Sequence, residues 1–143
     1  MFASAAYATP SSRQRHAYQD VQVTTGVDGA SPHQLVTMLF DGLMDAFAQA
    51  RGAMRSKNIP AKGAAIQRAV RIIDEGLKAG LNLTEGGALA ADLNDLYAYV
   101  TVRLTYANLH NDESALDECV RLIEPLRSAW SSISQPANGG ASV

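Results

Sequence analysis

Apolar residues recur along this chain at the three- and four-residue steps of amphipathic helices, and polar turns interrupt the pattern three times. The pattern predicts helix one from about Pro32 to Ser56, helix two from about Ala61 to Asn82, and helix three from about Ala88 to Leu109. A fourth helix follows the turn at residues 110–112. Its predicted core seam is Leu116, Cys119, Ile123, Leu126, Trp130 and Ile133.

The connections between these helices are short, which favours antiparallel neighbours. The sequence therefore predicts an all-α protein: an antiparallel up-and-down four-helix bundle with a mobile N-terminal arm or a short extra helix. Residues 1–16 are predicted to be a flexible arm, residues 17–134 the helical bundle domain, and residues 135–143 a disordered tail.

Local signals mark the helix ends. Ser31 is placed to cap helix one, Pro32 suits its first position, and Gln34 completes a capping box. Asn111 or Asp112 is placed to cap helix four. Pro125 is expected to interrupt helix four, because a proline inside a helix costs about 3 kcal/mol and usually kinks it.

Helix three carries more apolar surface than one core seam requires. Beside its main seam, a further stripe consists of Tyr99, Val102, Tyr106 and Leu109. Three interpretations stay open: the helix is central and touches several neighbours, the N-terminal arm covers the excess, or another molecule does. Glycines inside the helices indicate either close helix packing or room for a guest backbone; they are Gly42, Gly52, Gly63, Gly76 and Gly80.

Composition narrows the function classes. The 143 residues carry a net charge of −2, so no basic excess favours nucleic acid. No apolar run has the length of a membrane span and no signal peptide is evident, so we expect a cytoplasmic protein without membrane insertion. The single cysteine, Cys119, excludes an internal disulfide framework and is interpreted as a buried packing thiol.

No constellation of residues indicates catalysis, and we predict that the protein is not an enzyme and needs no cofactor or metal. No histidine has an acidic residue three positions before it, as a carboxylate di-iron site would require. His33 admits an alternative hypothesis, a histidine-phosphotransfer signalling bundle. It lies in the first helical turn rather than in mid-helix, which favours a solvated residue near a cap. Asp41 is interpreted as a salt-bridge partner or part of a polar face rather than a catalytic group.

Several strings, in order and with compatible spacing, carry a resemblance to a known family. They span about Ala17 to Trp130 and are Ala17-Tyr18-Gln19, the segment from Ala30 to Gly42, Lys62-Gly63, Ala69 to Glu75, Gly86-Gly87, Leu96 to Tyr99, Arg103 to Leu109, and Leu126 to Trp130. Together they resemble the flagellin-specific export chaperones, the FliS family of flagellar secretion chaperones.

The resemblance implies a chaperone that binds the disordered C-terminal segment of flagellin, prevents premature polymerisation and supports delivery to the flagellar type III export apparatus. It implies the export gate as a further partner, and a flagellar regulatory protein is a possible one. The arm residues Tyr18 and Val21 are the contacts carried over. For the groove we predict Ile72, Tyr97, Val100, Leu104 and Tyr106. A bundle that uses its surplus stripes for self-association is the third hypothesis.

Overall fold

The computed structural model describes residues 31–133, and within them all regular structure is helical. Helix α1 spans Pro32–Ser56, α2 spans Ile59–Arg71 and continues as a π-helical segment over Ile72–Lys78, α3 spans Gly87–His110, and α4 spans Glu113–Ser131. The predicted all-α class is confirmed. The predicted arm at 1–16, the tail at 135–143, Tyr18 and Val21 lie outside the described residues.

The four helices form a ring in which α1 contacts α2 and α4, and α3 contacts the same two helices. The contacts also give the directions. Arg55 near the end of α1 pairs with Glu113 at the start of α4, while His33 at the start of α1 contacts Trp130 near the end of α4. Lys62 near the start of α2 contacts Asn108 near the end of α3. Neighbouring helices are therefore antiparallel, as the short connections predicted.

The predicted capping box of α1 is present. The Ser31 hydroxyl accepts from the Gln34 amide at 3.2 Å, and the Gln34 side chain accepts from the Ser31 amide at 2.9 Å. Asp112 is the residue that caps α4. Helix α2 begins two residues earlier than predicted, because Asn58 caps it and Pro60 fits its first turn.

The second half of the predicted helix two differs from expectation. Over Ile72–Lys78 the backbone switches from i→i+4 to i→i+5 hydrogen bonding, the π-helical pattern. Ile72 and Ile73, and then Gly76 and Leu77, are buried in the core along this segment. Ile72 is thus a core residue, and at 3.6 residues per turn it shares one face of the helix with Ala65 and Ala69.

Pro125 does not interrupt α4, which is continuous over Glu113–Ser131. The residue is exposed, as is Arg121, whose carbonyl would otherwise accept from an amide at position 125. The acceptor that loses its donor therefore belongs to an exposed residue on the solvent side of the helix. The predicted break is wrong for this reason.

The hydrophobic core is a single cluster to which all four helices contribute. Its largest fully buried side chains include Leu39 and Phe47 of α1, Leu77 of the π-helical segment, Tyr97 of α3 and Ile123 of α4. Within residues 31–133 no helix is both long and apolar enough to cross a bilayer.

The glycines at positions 52 and 63 do not mark close helix contacts. A Cβ added at either position would meet no heavy atom within 4 Å. Gly87 has a different role, because its φ of +59° lies in the left-handed region that glycine adopts without strain. It forms the sharp entry into α3.

Candidate functional site

Helix α3 has two apolar faces with opposite environments. One face lies in the core and presents Tyr97, Val100, Leu104 and Ala107, all fully buried. On the outer face, the exposed fractions are 45% for Tyr99, 64% for Val102, 41% for Tyr106 and 77% for Leu109. We call these four residues the α3 stripe. Single exposed apolar residues are ordinary on protein surfaces, but an ordered row of them marks a candidate interaction site.

The spacing of the α3 stripe determines what fits it. Its members follow at steps of three, four and three residues, the a/d pattern of a heptad repeat. Ten residues of helix rise about 15 Å, so the stripe offers a narrow seam about three turns long. A seam of this shape suits the apolar face of an amphipathic helix lying along α3.

Polar contacts hold the aromatic members of the stripe in place. The Tyr99 hydroxyl donates to Glu118 Oε2 at 2.5 Å, and Arg103 Nε donates to Glu118 Oε1 at 2.8 Å. The Arg103 guanidinium lies 4.7 Å from the centre of the Tyr106 ring, and that ring lies 4.2 Å from the His110 ring. Residues from two helices therefore form one connected network beneath and beside the stripe.

The electrostatics of this network follow from its hydrogen bonds. The bonds from Tyr99 and Arg103 stabilise the ionised form of Glu118 and lower the pKa of its carboxyl group. The same carboxylate raises the pKa of Tyr99, because the neutral hydroxyl is the hydrogen-bond donor. It likewise raises the pKa of Arg103. At neutral pH the carboxylate thus accepts from both donors.

Lys62 of α2 forms hydrogen bonds with the end of α3 that carries Leu109. It is the buried charged residue of the described core, and its Nζ donates to the Asn108 carbonyl at 2.9 Å and to Asn111 Oδ1 at 3.2 Å. The Asn108 carbonyl is one of the acceptors that a helix leaves unpaired at its C-terminus. Asn111 adopts a left-handed conformation with φ of 50°. Lys62 therefore braces the turn that ends the stripe.

The predicted groove residues fall in two environments. Tyr106 belongs to the exposed α3 stripe, whereas Ile72, Tyr97, Val100 and Leu104 are buried in the core. The exposed surface is therefore not the set that the sequence singled out, because the face of α3 that contains Val100 turns toward its neighbours. Contact between any of these residues and a partner stays a prediction.

Tyr99, Val102 and Leu109 were not selected as site residues from the sequence. Their signal was present, since all three belong to the additional apolar stripe of helix three. Periodicity does not show which of the two apolar faces of one helix is buried and which is exposed. The exposed fractions of the side chains in the structure show this.

His33 packs against α4 rather than standing free in solvent, so the interpretation as a solvated residue is wrong. Its ring stacks on Trp130 with centroids 4.7 Å apart, and its Nε2 lies 3.1 Å from the Trp130 carbonyl oxygen. In return, Trp130 Nε1 donates to the His33 carbonyl at 3.1 Å. These contacts join the start of α1 to the end of α4.

Two other predicted assignments are confirmed. Cys119 is fully buried with its Sγ 3.7 Å from the Val100 carbonyl, and burial raises the pKa of its thiol to about 12. It is a packing residue. Asp41 accepts from Arg127 at 2.8 Å, the expected salt bridge. Across the described helices and turns, no group of three or more His, Cys, Asp or Glu side chains is arranged to hold a metal ion.

Comparison with known proteins places these features in a family context. The family model described as "Flagellar protein FliS" matches residues 14–137. The chain is 45% identical over 122 residues to the flagellar secretion chaperone FliS of Salmonella typhimurium, covering 85% of this chain and 90% of that protein. It is 44% identical over 117 residues to the flagellar secretion chaperone FliSB of Pseudomonas aeruginosa, covering 82% and 92%. It is 30% identical over 114 residues to the flagellar secretion chaperone FliS of Bacillus subtilis, covering 80% of each.

Proposed function

Because the chain belongs to the FliS family of flagellar proteins, we propose that it is a cytoplasmic chaperone for flagellar export. Its client is the disordered C-terminal segment of flagellin. Binding prevents premature polymerisation and supports delivery to the flagellar type III export apparatus. The observation that carries the proposal is an exposed α3 stripe on a chain 45% identical to a flagellar secretion chaperone.

The physical case rests on matching a disordered client to a rigid surface. A segment that folds only when it binds loses conformational entropy at that moment, so it needs apolar area to offset this cost. Val102 and Leu109 offer the most exposed side chains of the α3 stripe, and Tyr99 and Tyr106 add rigid rings beside them. An amphipathic client helix would bury these four residues along its own apolar face.

The remaining predicted residues take two roles in this proposal. Tyr18 and Val21 contact the client from the arm that precedes α1. Tyr97, Val100 and Leu104 form the buried face of α3, and Ile72 of the π-helical segment belongs to the same core cluster. The loaded chaperone would then present its client to the export gate, and a flagellar regulatory protein is a further partner to examine.

The proposal is tested by calorimetric titration with a synthetic peptide of the C-terminal segment of the host's flagellin. Val102→Lys should weaken binding about 10- to 100-fold, because burial of a valine side chain contributes about 1.5–3 kcal/mol. Ala48→Lys on the exposed face of α1 is the matched control, since it adds the same charge to another exposed helical position. Absence of binding by the unmodified protein, or equal binding by Val102→Lys, would contradict the proposal.

The contribution of the arm has its own test. Tyr18→Lys should weaken peptide binding while helicity and thermal stability stay nearly unchanged, because the substituted residue precedes α1 in the chain. Unchanged affinity in the same calorimetric titration would remove Tyr18 from the proposed binding surface without affecting the role of the α3 stripe.

A phosphotransfer function is not favoured. The ring of His33 stacks on Trp130 and its Nε2 lies against a backbone carbonyl, so the histidine is engaged in joining two helices. A phosphoryl acceptor needs an exposed nitrogen with space for the donor. Incubation with a small-molecule phosphodonor should therefore leave His33 unmodified.

A further inference from the structure

Glu118 lies on α4, yet its contacts are with the outer face of α3. Its two carboxylate oxygens accept from different residues, Oε2 from the Tyr99 hydroxyl at 2.5 Å and Oε1 from Arg103 Nε at 2.8 Å. Arg103 in turn covers the ring of Tyr106. One carboxylate therefore reaches both tyrosines of the α3 stripe, one directly and one through arginine.

We propose that Glu118 is a positioning residue for client binding, which it serves by holding the aromatic side chains of the α3 stripe in their binding arrangement. The inference rests on the proposed function. Side chains that are ordered before binding lose less entropy when a partner arrives, and this saving amounts to about 0.5–1.5 kcal/mol for each side chain. Glu118 itself need not touch the client.

The same contacts define the chemistry that the stripe offers. The Tyr99 hydroxyl and Arg103 Nε both donate to Glu118, so these two donors are paired within the protein. The ring faces and the side chains of Val102 and Leu109 remain for the partner. A client helix would therefore need apolar residues opposite the stripe, and an acidic residue placed at its centre would find Arg103 already neutralised.

Glu113 provides a matched comparison on the same helix. It also accepts hydrogen bonds from an arginine, since Arg55 Nη2 lies 2.6 Å from its Oε2. Arg55 belongs to α1, so this pair joins α1 to α4, whereas Tyr99 and Tyr106 belong to α3. Glu118→Gln and Glu113→Gln remove the same charge from the same helix, but only the first changes the support of the stripe.

The experiment measures the affinity of the full chain and its variants for the flagellin C-terminal peptide by calorimetry, with far-UV circular dichroism as the check on folding. Glu118→Gln should weaken binding about three- to tenfold, the loss that corresponds to disordering one or two interface side chains. Glu113→Gln should bind as the unmodified protein does. Tyr99→Phe removes only the hydroxyl that Glu118 accepts from and completes a double-mutant cycle.

In that cycle Glu118→Gln should lose less affinity in the Tyr99→Phe background than in the unmodified protein, because one of its two contacts is already gone. A purely structural role would instead give equal losses in both backgrounds. Equal binding by Glu118→Gln, an equal loss in Glu113→Gln, or strict additivity in the cycle would overturn the inference alone. Failure of the unmodified protein to bind the peptide would overturn the proposed function and the role of Glu118 with it.

Discussion

The interface between α1 and α4 differs from the outer face of α3 in what its side chains contact. Between α1 and α4, charged pairs and aromatic contacts cross from one helix to the other at both ends. Arg55 pairs with Glu113 near one end, while His33 and Trp130 stack at the other. The outer face of α3 instead presents the exposed α3 stripe.

This difference shows that similar residues serve different purposes at the two places. Both regions combine arginine with carboxylate in pairs that join two helices, α1 with α4 in one case and α3 with α4 in the other. The Arg103–Glu118 pair differs in its surroundings, because Arg103 also lies over the Tyr106 ring of the α3 stripe. Charged side chains are well solvated by water, whereas burying a row of apolar side chains against a partner lowers the free energy of the complex.

The largest expected effect separates the two faces of α3 itself. Leu104→Ala should lower the free energy of unfolding by about 2–5 kcal/mol, because it opens a cavity in the core. Val102→Ala on the outer face should change it by no more than about 0.5 kcal/mol. Urea denaturation followed by circular dichroism measures both. A large loss of stability in Val102→Ala would mean that the outer face is packed rather than available.

A smaller effect on the free energy of unfolding tests the end of the α1–α4 interface where His33 stacks on Trp130. His33→Ala removes the stacking on Trp130 and one hydrogen bond, and we expect a loss of about 1–2 kcal/mol in the free energy of unfolding. His110→Ala is the control, because His110 is exposed and its ring lies beside Tyr106 on the outer face of α3. If both variants were equally stable, the His33–Trp130 contact would contribute nothing to holding the helices together.

Gly52→Ala should raise stability by about 0.5–1 kcal/mol, since alanine favours the helix and the added Cβ meets no atom within 4 Å. Gly52 is exposed on α1, away from the α3 stripe. Affinity for the flagellin peptide should therefore stay the same. Reduced affinity in this variant would show that the α1 surface also takes part in binding. The α3 stripe and the α1 surface would then no longer differ in this respect.

The smallest effect concerns acid. Hydrogen bonds from Arg55 lower the pKa of Glu113, and those from Tyr99 and Arg103 lower that of Glu118, from a usual value of 4.5. Because each folded-state pKa is below the unfolded one, the stability that these groups contribute is complete above about pH 4.5 and is lost as the pH falls through the folded values. Thermal melts between pH 6 and pH 3 should show this loss.

The variant that combines Glu113→Gln with Glu118→Gln is the control for the acid experiment. It lacks both carboxyl groups, so its melting temperature should fall less steeply over the same pH range. An identical pH dependence in the unmodified protein and the double variant would assign the acid sensitivity to other carboxyl groups. Glu113 and Glu118 would then make no measurable contribution to the pH dependence of stability.

Much of the fold could be predicted because its signals are local. The bounds of α1 and its capping box follow from Ser31, Gln34 and the apolar spacing after them, and the structure agrees at both ends. The π-helical segment could not be predicted in this way, since the apolar spacing of its residues is that of an ordinary α-helix. The continuity of α4 through Pro125 likewise depends on which side of the helix faces solvent.

The candidate site divides along the same line. The sequence alone determined that α3 has two apolar faces, because the spacing of Tyr99, Val102, Tyr106 and Leu109 is a property of the chain. Tertiary structure decided which face is core and which is exposed. It also brought Glu118 to Tyr99 and Lys62 to Asn108. The physical reason is that helical periodicity depends on neighbours along the chain, whereas burial and side-chain pairing depend on which helices lie side by side.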